Sequence, residues 1–134
     1  MRLKEKVSII TGAASGFGRG IAKKFSEEGA KLILADINKD LLEKVSKDLN
    51  QDFFYTDVSS SSSMEKLSEY VLKKYQTIDI MVNNAGITHL PKPLEEVGEE
   101  EFDKVFAVNS KSVFLCGKYF VPHMKKQKKV QFLI

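Results

Sequence analysis

The chain has 134 residues, of which 43% are hydrophobic and 29% charged, and its formal net charge is +3. This length corresponds to one domain at most, large enough to bury a core, and the composition is too apolar for a disordered chain. The single cysteine, Cys116, excludes a disulfide framework, and the lack of His or Cys partners at ligand spacing excludes a structural zinc site.

Strands and helices alternate through the first half of the chain. An apolar run from Val7 to Thr11 predicts a strand, and a glycine-rich turn follows it. Helical spacing then joins Phe17, Ile21 and Phe25. Gly29 closes that helix, and the run KLILAD from Lys31 to Asp36 predicts a buried strand. The next helical stripe consists of Leu41, Leu42, Val45 and Leu49.

The second half continues this alternation. The sequence predicts strands at Phe53–Asp57, Ile78–Asn83 and Val130–Ile134. The helix between the first two of these strands carries Met64, Leu67, Val71 and Tyr75. A long helix from Phe102 to Phe120 precedes the last strand, and one face of it presents Phe102, Val105, Phe106, Asn109, Val113, Cys116 and Phe120.

A run of serines, Ser59–Ser63, precedes the third helix. Such a run is either a phosphorylation cluster or the start of a helix. Ser62 and Glu65 have the spacing of a capping box before an apolar segment, which favours the helix start.

The order of the elements predicts the fold. Strands that alternate with helices become parallel neighbours joined by right-handed crossovers. We therefore predict an α/β fold with an open, Rossmann-type parallel sheet of about five strands in the order 3-2-1-4-5 and helices on both faces. One such domain would span residues 1–134.

The turn after the first strand reads TGAASGFG, from Thr11 to Gly18. Glycines let the backbone turn sharply and approach a pyrophosphate closely, and the following helix N-terminus offers free N–H groups to an anion. The spacing departs from G-x-G-x-x-G, because Ile21 stands where the third glycine would fall, and it does not match a P-loop. A dinucleotide site fits this turn, and a purely structural turn is the alternative.

Two acidic residues end consecutive predicted strands. Asp36 lies some twenty residues after the glycines, where a carboxylate accepts hydrogen bonds from ribose hydroxyls and repels a 2′-phosphate. The alternative role, capping the next helix, can be filled by Asn38 or Asp40. For Asp57, position alone leaves two roles open: a bond to the adenine amino group, or the start of the serine turn.

The tetrapeptide Asn83-Asn84-Ala85-Gly86 ends the fourth predicted strand. Ligands of open α/β sheets bind outside the carboxyl ends of the strands, which is where these residues fall. Their amides suit backbone contacts with a cofactor and can tie adjacent strand ends together. Taken alone, the tetrapeptide could also be an Asx turn.

In order and spacing, these motifs resemble the short-chain dehydrogenase/reductase family over nearly the whole chain. The matching positions are TGAASGFG, Asp36, Asp57-Val58, NNAG and Val108-Asn109-Ser110. The resemblance implies an NAD(P)-dependent oxidoreductase that transfers hydride between nicotinamide and a small alcohol or carbonyl substrate. It also implies a homo-oligomer formed through the Phe102–Phe120 helix.

The resemblance also implies a set of cofactor-binding residues. They are Gly12, Ser15, Gly16, Phe17, Gly18, Asp36, Ile37, Asp57, Val58, Asn84, Ala85 and Gly86. In the family the glycines form the pyrophosphate turn, and the residue at Phe17 lies toward the nicotinamide. An acidic residue at Asp36 selects NAD over NADP. Asp57 and Val58 would line the adenine pocket, and residues 84–86 would contact the ribose on the nicotinamide side.

Asn109 is the one candidate catalytic residue. It lies on the apolar stripe between Phe106 and Val113, where a buried amide needs hydrogen-bond partners. In the family this asparagine bonds backbone or water and assists a proton relay. A purely structural role, in which the amide straps the helix to the sheet, is equally compatible with its position.

The family's catalytic Ser, Tyr and Lys follow the fifth strand, and they supply the proton donor that hydride transfer to a carbonyl requires. The chain ends at Ile134, within that predicted strand. We therefore expect a truncated or frame-altered product that keeps the dinucleotide site and is inactive as it stands. A Tyr-x-x-x-Lys spacing at Tyr70 and Lys74 precedes NNAG, and we interpret it as ordinary helix surface remote from the nicotinamide.

A non-catalytic NAD-binding or interaction module is the alternative function. Nucleic-acid binding is disfavoured, because the lysines at 125, 126, 128 and 129 lack interleaved aromatic residues and end a helix, whose dipole attracts cations. No apolar run approaches the roughly 18 residues of a membrane span, and residues 1–10 lack the features of a signal peptide. We therefore expect a cytoplasmic protein with no membrane, nucleic-acid or metal partner.

Overall fold

The computed structural model describes residues 1–128 and 131–133. Five parallel strands form one sheet in the order β3-β2-β1-β4-β5. The strands are β1 Val7–Thr11, β2 Lys31–Asp36, β3 Asp52–Tyr55, β4 Ile80–Val82 and β5 Gln131–Leu133. The predicted α/β fold and strand order are confirmed. The ends of the predicted fifth strand, Val130 and Ile134, lie outside the described residues.

Five α-helices connect the strands. They are α1 Gly16–Glu27, α2 Lys39–Leu49, α3 Ser61–Tyr75, α4 Glu99–Phe106 and α5 Ser112–Lys126. A short 3₁₀ turn lies at Leu94–Glu96, and a π-helical turn at Ala107–Lys111 joins α4 to α5. Within the described residues, no helix is both long enough and apolar enough to cross a membrane.

The core has two layers, one on each face of the sheet. On one face, strand residues including Ile9, Ile33 and Met81 pack against α3 and α5. On the other face, residues including Ile10 and Leu34 pack against α1 and α2. Successive side chains of a strand point to opposite faces, so each buried strand must be apolar at consecutive positions, as the run at β2 is.

The predicted bounds of the third and fourth strands, Phe53–Asp57 and Ile78–Asn83, are wrong at their ends. The N–H of Thr56 still donates to the carbonyl of Asp36, at 2.9 Å, but the N–H of Asp57 donates to Oγ of Ser63 at 2.9 Å. This bond turns the chain away from the sheet and toward α3. Past β4, side-chain bonds to Asn84 likewise replace the strand ladder.

Side-chain caps fix the beginnings of α2 and α3. Oδ1 of Asn38 accepts from the N–H of Leu41 at 3.1 Å, which leaves Asp36 free of the capping role. At α3 the cap is Ser60, whose Oγ accepts from the N–H of Ser63 at 3.3 Å. The predicted capping box at Ser62 is therefore wrong, because Ser62 lies inside the first turn.

The predicted helix from Phe102 to Phe120 does not present one continuous apolar face. The π turn at Ala107–Lys111 holds an extra residue, and Oγ of Ser112 donates to the carbonyl of Val108 at 2.5 Å within it. The extra residue rotates α4 relative to α5. As a result Phe102 and Phe106 are exposed and stack on each other, whereas Cys116 and Phe120 are buried in the core.

A polar cluster ties α3 to the beginning of β3. Asp52 accepts hydrogen bonds from the hydroxyls of Tyr75, at 2.5 Å, and Tyr70, at 3.4 Å, and it pairs with the ammonium of Lys74. Partial burial by itself would raise the pKa of Asp52, but the bonds from Lys74 and Tyr75 outweigh it and lower the pKa. Tyr70 and Lys74 thus anchor β3. They lie at the amino ends of the strands, on the side of the sheet away from the strands' carboxyl ends.

One buried hydroxyl in the sheet has no partner. Ser8 lies in the middle of β1, opposite Leu32 of β2 and Ile80 of β4. It is fully buried, and its Oγ makes no hydrogen bond to any described residue. A buried polar group without a partner keeps the cost of its desolvation.

We predict that Ser8→Ala raises the free energy of unfolding by about 1 kcal/mol, because it removes this desolvation cost. Urea unfolding followed by circular dichroism measures the change. Ser68→Ala is the matched control: Oγ of Ser68 is buried but donates to the carbonyl of Tyr119 at 3.1 Å, so this change should destabilise. Destabilisation by both substitutions would contradict the prediction.

Candidate functional site

The glycine turn after β1 depends on close backbone contacts. Gly12 has φ +65°, and a Cβ there would lie 2.9 Å from the Cα of Ala85. A Cβ on Gly18 would lie 2.0 Å from the carbonyl oxygen of Gly12. Only glycine satisfies both positions. The first turn of α1 therefore packs directly on the end of β1, and both lie against the chain that follows β4.

Thr11 and Asn84 lock the ends of β1 and β4 together. Oγ1 of Thr11 accepts from the N–H groups of Asn84 and Ala85, both at 3.1 Å. The side-chain amide of Asn84 donates to the carbonyls of Thr11 at 3.0 Å and of Gly12 at 3.3 Å. NNAG is therefore a brace between strand ends rather than a free-standing turn.

The N-terminus of α1 opens into a cleft and is available to an anion. Ser15 is the N-cap, yet its side chain caps no N–H, and the first turn carries no acidic residue. Gly16 has φ +52°, and the space where its Cβ would stand is open, with no atom within 4 Å. Backbone donors therefore face open space, which is the arrangement that a pyrophosphate requires.

Asp36 faces the same cleft from the end of β2. Its Oδ2 accepts from the N–H of Ala14 at 3.0 Å, and its Oδ1 accepts from the N–H of Asn38 at 2.9 Å. These two bonds fix the orientation of the carboxylate. Each oxygen of a carboxylate has a second lone pair, so both can still accept from a ribose hydroxyl.

Asp57 follows β3 and starts the serine turn. Its Oδ1 accepts from the N–H of Ser59 at 2.9 Å and from the hydroxyl of Ser59 at 2.7 Å. Its other oxygen makes no such bond within the turn. Asp57 also lines the cleft, so one carboxylate oxygen serves the turn while the other is available to a ligand.

Asn109 is exposed, so the expectation of a buried amide on an apolar stripe is wrong. The π turn directs its side chain to the loop after NNAG. There Oδ1 accepts from the N–H of Ile87, and Nδ2 donates to the carbonyl of Ile87, both at 2.8 Å. The amide thus pairs with one residue of the backbone as a neighbouring strand would, and fixes the loop at the mouth of the cleft.

The cleft has a volume of about 480 Å³ and opens at the carboxyl ends of β1 to β4. It is lined by all the predicted cofactor-binding residues except Gly18, which packs beneath the turn. Phe17 stands 88% exposed and Ile37 60% exposed at its rim. Large apolar side chains in water next to a cleft are typical of a ligand-binding site.

Sequence reasoning did not assign Thr56, Lys104 and Val108 to the cleft, and all three line it. Thr56 could have been found from its place beside Asp57. Val108 lies in the quoted segment Val108-Asn109-Ser110 but was given no role. Lys104 belongs to no motif, and only its position one helical turn before Val108 relates it to the site.

The residues present suit a dinucleotide better than a metal. Among the described residues, no three His, Cys, Asp or Glu side chains are grouped so that they could hold an ion. The one thiol, that of Cys116, is buried in the core, and burial raises its pKa well above the usual value. The cleft instead offers a backbone anion cradle at one point and two carboxylates at another.

Comparison with known proteins matches residues 6–132 to the family described as short chain dehydrogenase. The chain is 40% identical over 133 residues to the 3-oxoacyl-acyl-carrier-protein reductase FabG of Thermotoga maritima, covering 96% of this chain and 54% of that protein. The chain thus spans about half the length of the curated relatives that it matches.

Two solved structures are similar over almost the whole chain. One is a 3-ketoacyl-(acyl-carrier-protein) reductase from Brucella melitensis complexed with NADH, with a TM-score of 0.89 and 39% identity over 92% of this chain and 52% of that one. The other is a metagenomic short-chain oxidoreductase in complex with NADP, with a TM-score of 0.93 and 28% identity over 98% of this chain and 62% of that one.

We predict opposite effects for alanine at two glycines of α1. Gly18→Ala should lower the free energy of unfolding by roughly 2 kcal/mol or more, because its Cβ collides with the carbonyl of Gly12. Gly20→Ala places its Cβ in open space and should stabilise by about 1 kcal/mol through helix propensity. Thermal and urea unfolding of both variants measure the two changes in the free energy of unfolding. Equal changes in the two variants would contradict the close contact at Gly18.

Proposed function

Because the chain belongs to the short-chain dehydrogenase family, which its match over residues 6–132 establishes, we propose that it binds a nicotinamide dinucleotide in the cleft at the ends of its strands. The observation that carries this proposal is the open cradle at the α1 N-terminus, with Gly16 in a left-handed conformation and no side-chain cap at Ser15. NADH and NADP occupy two of the related structures, which supports the general class of ligand.

Asp36 is proposed to select NAD over NADP. Its carboxylate is held by two backbone N–H groups at the rim of the cleft, where it can accept from ribose hydroxyls and repel a phosphate. Asp57 and Val58 would hold the adenine, and Asn84, Ala85 and Gly86 the ribose on the nicotinamide side. Phe17 would cover the nicotinamide.

The reaction proposed for the whole protein is hydride transfer between nicotinamide and a small alcohol or carbonyl compound. A nicotinamide dinucleotide, when bound, supplies or receives the hydride. The residues of this chain bind and orient it. Asn109 is proposed as a positioning residue for that chemistry, since it holds the Ile87 loop at the mouth of the cleft.

Isothermal titration with NADH tests the binding proposal. The unsubstituted chain should bind, and Asp36→Asn should weaken binding about tenfold, since a hydrogen bond to a charged group contributes roughly 1.5 kcal/mol or more. Asp40→Asn is the matched control: it is an exposed acidic residue of α2 that does not line the cleft. Absence of NADH binding by the folded, unsubstituted chain would refute the proposal.

Association through the exposed aromatic residues of α4 and of the beginning of α5 is a second part of the proposal. Phe102, Phe106 and Phe114 are 55%, 53% and 67% exposed, an unusual density of aromatic surface that we propose packs against a second copy of the chain.

Light scattering of the chain should give the mass of a dimer or a larger closed assembly. The pair Phe102→Ser and Phe106→Ser should shift it to the monomer mass. Leu41→Ser removes an exposed apolar side chain elsewhere and should not change the mass. A monomeric unsubstituted chain would contradict this part alone.

A further inference from the structure

Lys104 is a charged residue of the cleft that the proposed function does not use. It lies in α4 and lines the same cavity as Asp36, Asp57 and Val108. Within the described residues it is the only cation among the cavity-lining side chains. Val108 follows it by four positions, so the two side chains lie on the same side of the helix.

The described structure gives Lys104 no partner. No ion pair joins it to any acidic side chain of the described residues, although Glu100 and Glu101 precede it by one helical turn. Glu101 is engaged elsewhere: both of its carboxylate oxygens accept from Nζ of Lys92 at 2.9 Å, and Oε2 also accepts from the N–H of Gly98 at 3.0 Å. The ammonium of Lys104 is therefore available to a ligand.

Its position in α4 does not explain the charge through the helix dipole. A cation is stabilised at a helix end because the last carbonyls there are unpaired. The chain continues from α4 through Ala107, whose backbone is right-handed helical, into the π turn and then α5. Lys104 therefore lies in the second turn of a continuous helical segment, far from its C-terminal end.

The cleft therefore carries charges of both signs. Asp36 and Asp57 supply negative charge, and Lys104 supplies positive charge from another element. Charges interact through solvent over about one Debye length, roughly 8 Å at physiological salt, so charges of both signs act on a ligand that lies close to them in the cleft. An additional phosphate on the adenosine would be repelled by the carboxylates and attracted by the ammonium of Lys104.

On the basis of the proposed dinucleotide binding, we propose that Lys104 is a specificity-determining residue that attracts the additional phosphate of NADPH and so reduces the discrimination that Asp36 imposes. The chain should then prefer NADH by a smaller factor than Asp36 alone would give. Removing the cation should weaken NADPH binding more than NADH binding.

The test is the ratio of the dissociation constants of NADPH and NADH, measured by isothermal titration or by competition at low and high salt. Lys104→Met should raise the ratio about two- to fivefold at low salt, which is the range for a solvent-accessible charge pair, and the effect should shrink at high salt. Lys104→Glu should raise the ratio further, and Lys104→Arg, which keeps the positive charge, should leave the ratio close to that of the unsubstituted chain. Lys66→Ala, an exposed lysine of α3 outside the cleft, should leave it unchanged.

The outcomes separate this inference from the proposed function. If the unsubstituted chain binds NADH and the ratio is the same in Lys104→Met and Lys104→Glu, the role of Lys104 is refuted and the dinucleotide site stands. No NADPH binding at millimolar concentration by the unsubstituted chain also refutes it. If the folded chain binds neither dinucleotide, both proposals fail. Circular dichroism establishes that each variant is folded, and as Lys104 is exposed we expect them all to be.

Discussion

The contact between Gly18 and the carbonyl of Gly12 sets the geometry on which the cleft depends. With no side chain between them, the first turn of α1 lies directly on the end of β1. Any larger residue would push the helix outward. Because the proposed pyrophosphate cradle consists of backbone atoms, its shape follows from this packing rather than from the rotamer of any side chain.

Bonds across the sheet hold that contact in place. Thr11 accepts two N–H groups from the chain after β4, and Asn84 returns two bonds to the carbonyls of Thr11 and Gly12. The strand ends and the glycine turn therefore form one unit. A cleft assembled this way is largely preformed, so binding a ligand would require little ordering of the backbone, and such ordering is a substantial cost in association.

The fold and most of the cleft followed from the sequence because each depends on local patterns. Apolar runs and helical spacing fixed the element order, and the right-handed crossover fixed the topology, as the confirmed strand order shows. The motif residues reached the cleft because strand ends converge there. The bounds of β3 and β4 could not be predicted, since they depend on side chains that accept backbone N–H groups in place of the strand ladder: Ser63 accepts from Asp57, and Thr11 accepts from Asn84, 73 residues away.

Asn109 and Lys104 show a different limit. Helical spacing placed Asn109 on the face of Cys116 and Phe120, and the added residue of the π turn moved it to the loop at Ile87. That turn also separates two kinds of environment along the helix. Before it, Lys104 lines the cleft and Phe102 and Phe106 are exposed, whereas after it Leu115, Cys116 and Phe120 are buried in the core. Surface properties of α4 can therefore diverge during evolution without changing the volume of the core, because a single widened turn uncouples the two surfaces.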